Sequence, residues 1–145
     1  PTRAHASILH KEYDKALADL QVWLNNTING PYTLTKEAIE NWVDSYQYYT
    51  PNAPTPKKKL NPEFAIEEGQ QEAYLQFLLY ARRYETMFSG LRWFDIKRYG
   101  IEIYRRTMQS GQPVSIGDML KVRDNRCALQ IPPDVISAGI TPNPR

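Results

Sequence analysis

A single cysteine, Cys127, stands among 145 residues. No intrachain disulfide can form, and the cysteine count leaves the redox compartment open. No apolar run reaches the roughly 18 residues that a bilayer-spanning helix needs. The formal net charge is only +2, too small for a nucleic-acid footprint or a patch that binds an anionic membrane. The two histidines, His5 and His10, are spaced so that they do not share a helix face, and no metal site is expected. No phosphate loop, dinucleotide fingerprint or nucleophile elbow occurs. The chain opens PTRAHASILH, with neither a methionine nor the apolar core of a signal peptide. That start reads as the interior of a helix, and the expectation is a piece of a longer protein.

What is present is globular in kind. Hydrophobic residues make up 41% and charged residues 23% of the chain, enough for one domain with a single core. Residues 2–9 carry small side chains, Ala4 and Ala6. Residues 13–25 place Tyr13, Ala16, Leu17, Leu20, Trp23 and Leu24 at three-and-four spacing. Two such helices with a short connection predict an antiparallel hairpin of tetratricopeptide type over 1–47. A lone unit cannot bury its own face, so further units are expected upstream. Thr35 is placed to cap a third helix, with Leu34 and Ile39 as a hydrophobic staple and Ile39, Trp42, Val43 and Tyr46 as its stripe.

The eleven prolines cluster in two places. One is residues 48–62, YYTPNAPTPKKKLNP, which read as an exposed connection. Lys57, Lys58 and Lys59 within it could contact phosphate, although lysines beside prolines are ordinarily solvated. Residues 67–88 form a long helix, apolar over most of its circumference and so central. Gly90 bends the chain into a shorter helix over 91–99. Alternation at Ile101-Glu102-Ile103 hints at a strand. Leu120 and Val122, then Cys127, Leu129 and Ile131, flank Arg123 to Arg126 and predict a small hairpin there. Pro132-Pro133 introduces a last short helix that Gly139 stops, followed by an extended tail.

The stretch ARRYETMFSGLRWFDIKRYG, 81–100, mixes charges and aromatics too densely for a plain surface or a plain core. Projection at about 100° per residue puts Glu85 in one stripe with Tyr74, Leu78, Ala81 and Phe88. Beyond Gly90 it groups Leu91, Phe94, Asp95 and Arg98, with Arg92 and Arg98 each three residues from Asp95. Buried carboxylates need forked cationic partners. Arg82, Glu85, Arg92, Asp95 and Arg98 are therefore expected to form a buried ion network, with Arg92 or Arg98 meeting Glu85. Glu85→Ala should then be strongly destabilising. A general acid and base built from Glu85 and Asp95 fits less well, because neighbouring arginines would hold both carboxylates ionised.

Arg82, Arg83, Glu85, Phe88, Gly90, Arg92, Trp93, Phe94, Asp95, Arg98 and Gly100 together resemble the C-terminal signature of the SusD/RagB family. TRAHASILHKEYDKALADL is similar to the family's helical-repeat element, and LQIPPDVISAGITPNPR to its terminal tail. The chain departs at Ser89, where the family usually has glutamate. The resemblance implies the C-terminal portion (63–145 its family region) of a mainly α, SusD-like protein with a tetratricopeptide-like hairpin, a long central helix and a small C-terminal β-hairpin. It further implies a non-enzymatic, cofactor-free lipoprotein at the outer-membrane surface, of a Bacteroidetes-type bacterium. Such a protein binds glycans or oligosaccharides, meets the membrane only through an N-terminal lipid anchor absent from this chain, and partners a SusC-like TonB-dependent transporter. A tetratricopeptide-type scaffold for a protein partner is the alternative. The family's ligand contacts vary, so none transfers by motif. The aromatics open to sugar stacking are Tyr48 and Tyr49 beside the proline-rich segment, then Trp42 and Trp23 on helix stripes.

Overall fold

The computed structural model describes residues 1–144; Arg145, the end of the expected tail, lies outside them. Six α-helices, a 3-10 turn and a two-stranded antiparallel sheet follow one another along these residues. Helices α1 (Thr2–Leu9) and α2 (Tyr13–Thr27) form the expected hairpin. Lys11, at φ 61, reverses the chain between them, and Glu12 N–H closes the turn onto Ser7 O at 2.8 Å. Fully buried alanines on both helices, Ala4 and Ala16, allow close approach. The Arg3 Nε donates to both oxygens of Asp19, at 2.9 and 2.8 Å, tying one helix to the other.

Helix α3 (Lys36–Asp44) begins as predicted: Thr35 Oγ1 accepts from Ala38 N at 3.1 Å. Ile39 is fully buried and Leu34 packs against the core, which completes the staple.

Helix α4 (Gln70–Glu85) is the centre, with α1, α3 and the short α5 (Arg92–Arg98) all packed against it. It is shorter than the 67–88 that its apolar run predicts. Gly69, at φ 85, sets its start. Thr86 Oγ1 donates to Arg82 O at 2.7 Å and closes its last turn. Ala73, Tyr74, Leu75, Phe77, Leu78, Leu79 and Ala81 are buried, and so are Gln71 and Gln76. These amides carry polar ties across the core. Gln71 Nε2 donates to Ile8 O at 3.1 Å and its Oε1 accepts from Glu67 N at 2.8 Å. Gln76 Oε1 accepts from Lys58 N at 3.2 Å while its Nε2 donates to Lys58 O. A glutamine that pairs both backbone groups of one residue acts as a strand partner for Lys58, which is therefore docked rather than solvated, while Lys59 stays exposed.

The hairpin lies elsewhere than predicted. Strands β1 (Ile103–Gln109) and β2 (Gln112–Leu120) pair antiparallel, with Gln109 opposite Gln112. Ser110 and Gly111, at φ 51 and 77, form the two-residue turn that suits right-handed strand twist. At the predicted hairpin turn the chain instead forms a 3-10 turn, Asn125–Cys127, capped when Asp124 accepts from Arg126 N at 2.9 Å. The Arg126 side chain holds it against the sheet, reaching Asp118 and Asp124 at 2.8 Å each and Met119 O at 2.6 Å. Helix α6 (Pro133–Ser137) closes the order, stopped by Gly139 at φ 101.

At the meeting of α1 and α5, His5 Nε2 and Tyr99 OH share a hydrogen bond. Burial first, then the charges of Arg98 and Arg82, push His5 down to about 4, with Asp95 acting in the opposite sense. The unfolded chain, with its ordinary histidine value of 6.5, takes up the proton first as pH falls. The stabilisation is complete above pH 6.5 and is lost on the way down to about 4. Thermal melts across this window should fall in Tm for the parent and fall less for His5→Gln; equal slopes would refute the assignment.

Candidate functional site

The signature stretch resolves into one closed ion pair. Arg82 Nε stands 3.1 and 3.2 Å from the two oxygens of Asp95, and Nη2 is 3.0 Å from Oδ1. Asp95 is 2% exposed. The pair joins α4 to α5 across the bend at Gly90, where φ is 77.

The rest of the expected network is not assembled. Glu85 is exposed and makes no ion pair among the described residues, neither with Arg92 nor with Arg98. The reason is geometric: α4 ends at Glu85, and Phe88, at φ 66, is 100% exposed, so the stripe that should have buried Glu85 does not continue. Arg98 is also exposed, its guanidinium carbon 5.8 Å from the centre of the Phe64 ring. None of the four main cavities is lined by both Glu85 and Asp95. Arg92 is half-buried, and its Nη1 is enclosed without a hydrogen-bond acceptor. Burial lowers its pKa, against the attraction of Asp95.

The four candidate aromatics separate. Trp23 is buried, edge-on to Phe77 with ring centres 6.3 Å apart. Trp42 packs against Tyr80 at 4.7 Å and Phe77 at 5.6 Å. Both serve the core, as their periodicity implies. Tyr48 is 41% exposed and donates to Glu72 Oε1 at 2.7 Å; that bond, then burial, raises its pKa to about 12. Trp23 also borders a cavity of about 480 Å³ beside Arg3, Asp19 and Glu85, and Tyr49 lines another.

That cavity, of about 430 Å³, lies between the proline-rich segment, the α4–α5 bend and the start of β1; Tyr49, Lys58, Arg83, Arg92, Glu102 and Arg106 line it. Arg106 braces one wall, donating to Pro51 O at 2.8 Å, Thr50 O at 2.6 Å and Tyr49 OH. The Tyr49 ring is fully engaged. Tyr104 stacks on it at 5.4 Å and 17°, the Arg106 guanidinium is 4.3 Å from its centre, and Lys58 Nζ is 3.1 Å away. Lys58 is 9% exposed and donates to Thr55 O at 2.9 Å. Burial, followed by the charges of Arg83, Arg92 and Arg106, pushes it down to about 7.

Composition offers no hint that Lys58 is buried. The usable signal is period two: in an extended segment, Lys58 shares a side with Leu60, which packs on the core.

A larger cavity, of about 650 Å³, shares Ile96 and Ile101 with the first. Phe64 lies in its wall together with Asn61, Asn125 and Asn143, and with the charged residues Glu63, Lys97, Arg98, Lys121, Arg123 and Asp124. A half-buried aromatic ring among carboxamides is a surface that can meet both the apolar face and the hydroxyls of a sugar. Of its members only Arg98 stood among the sequence candidates, and there as part of the ion network rather than as a ligand contact.

No family model, curated protein or solved structure matches the chain.

Proposed function

We propose that the chain is the C-terminal portion of a SusD/RagB-type lipoprotein that binds glycan nutrients at the outer-membrane surface. In this reading it delivers them to a SusC-like TonB-dependent transporter and turns over no substrate. The observation that carries binding is the 650 Å³ cavity, in which Phe64 stands among Asn61, Asn125 and Asn143. Its size suits a few sugar units, and its chemistry offers one apolar ring with amide donors and acceptors around it. The buried Arg82–Asp95 pair supports the family part of the reading, since it gives the signature residues a structural task. No helix of the described residues is long and apolar enough to cross a membrane; attachment would fall to a lipid on an upstream cysteine.

The test is a glycan array on the intact protein, paired with capture of the transporter. At least one oligosaccharide class should bind, and Phe64→Ala should weaken it about tenfold, the range of a lost aromatic contact. The α1–α2 hairpin favours a second reading, a tetratricopeptide-type scaffold. A blank array with a captured protein partner would replace the first reading by the second.

A further inference from the structure

We propose that the cavity formed by Lys58, Arg83, Arg92 and Arg106 is an oxyanion subsite, and that the glycan this protein binds is acidic, bearing a uronate carboxylate or a sulfate ester. The inference rests on the glycan-binding reading and adds the class of glycan.

Four cationic side chains and one carboxylate, Glu102, line this space. Glu102 Oε2 accepts from Tyr104 OH at 2.8 Å, so its charge is already directed toward the stacked tyrosines. Like charges gathered in a half-dry space raise one another's energy. An enclosed donor without an acceptor adds a desolvation penalty, and Arg92 Nη1 is such a donor. The nearest carboxylate along α5, Asp95, has both oxygens engaged by Arg82. Glu102 and Asp95 offset this concentration of positive charge only in part; an oxyanion would complete the balance, supplying acceptors to several donors at once.

The four cations divide into a frame and a working set. Arg106 spends its nitrogens on Pro51, Thr50 and Tyr49 and serves as the frame. Lys58 uses one donor, toward Thr55. Arg83 makes neither hydrogen bond nor ion pair among the described residues and reaches solvent. Lys58, Arg83 and Arg92 thus keep donors for a ligand, two of them as planar forks suited to carboxylate or sulfate. Because the Tyr49 ring is already covered, recognition here proceeds by charge, whereas the neighbouring cavity has a half-buried ring, Phe64, in its wall.

Calorimetric titration of the intact protein decides the matter with four probes: an oligogalacturonate, its fully methyl-esterified counterpart, a sulfated oligosaccharide and its unsulfated parent. The acidic member of at least one pair should bind about tenfold or more tightly than its neutral counterpart, as loss of a charge-assisted contact implies. Which pair discriminates tells carboxylate from sulfate. Arg92→Gln should abolish that preference. Should this variant fold poorly, Arg83→Gln, at an exposed position, should still reduce the preference about threefold and shift no melting point. Equal binding of acidic and neutral members in both pairs would overturn the oxyanion subsite and leave glycan binding standing. Absence of binding by all four would overturn the oxyanion subsite, while a blank glycan array is what overturns the glycan reading itself.

Discussion

Asp95→Ala is expected to lower the stability of the chain by about 3–5 kcal/mol, the range for removing one partner of a buried ion pair. The substitution strands Arg82, whose side chain is 19% exposed and whose Nε and Nη2 both face the lost carboxylate. It also removes the negative charge that stabilises the protonated form of the half-buried Arg92. Glu85→Ala, by contrast, should change stability by no more than about 0.5 kcal/mol, because Glu85 is exposed and unpaired. The helical projection predicts a large loss for Glu85→Ala, and the observed geometry assigns that loss to Asp95→Ala alone. Urea unfolding of both settles the order; a large loss in Glu85→Ala with none in Asp95→Ala would refute this account. A double replacement, Arg82→Met with Asp95→Leu, should recover much of the loss, since two apolar groups leave no charge stranded.

Gly100→Ala should be comparably severe, at about 3 kcal/mol or more. Two costs combine. Gly100 has φ +55, where a Cβ costs about 1–2 kcal/mol. That Cβ would also stand 2.2 Å from Asn61 O and 2.9 Å from the Asn61 carbonyl carbon, and overpacking of a fixed backbone typically adds about 1–3 kcal/mol. Asn61 cannot easily withdraw: its N–H donates to Tyr99 O at 2.8 Å and its Nδ2 to Gly100 O at 3.2 Å. Gly90 provides the control. Its φ of +77 carries the backbone cost, but nothing lies within 4 Å of its missing Cβ. Thermal melts should place Gly90→Ala well above Gly100→Ala, and equal losses would show that the close approach to Asn61 is not the cause.

The helices are legible in the sequence because burial imposes a period on them. Tyr13 to Thr27 and Lys36 to Asp44 are amphipathic, and a stripe of large apolar side chains announces each; Thr35 marks its boundary through a specific hydrogen bond. The sheet is not legible for the complementary reason. Most of β1 and β2 is exposed or half-exposed, so no alternation is enforced. The alternation that does occur, around Leu129, belongs to a residue 89% exposed. Ion pairing fails to be legible at Glu85 because projection assumes that a helix continues, and α4 ends at that residue. The basic cavity is long-range by construction. Lys58 and Arg106 lie far along the chain from Arg83 and Arg92; Gln76 docks the Lys58 segment on α4, and Arg106 ties the proline-rich segment to β1.

Arg106 has a consequence for motion as well as for charge. It binds the 49–51 segment to β1 through three acceptors. A two-stranded ribbon alone is marginal in water, and a proline-rich loop has little ladder of its own. Each is ordered here largely by the other. They should share one opening equilibrium: when the loop lifts, the ribbon frays with it, and the two exchange their amide hydrogens as a single cooperative unit beneath the global stability of the helical core.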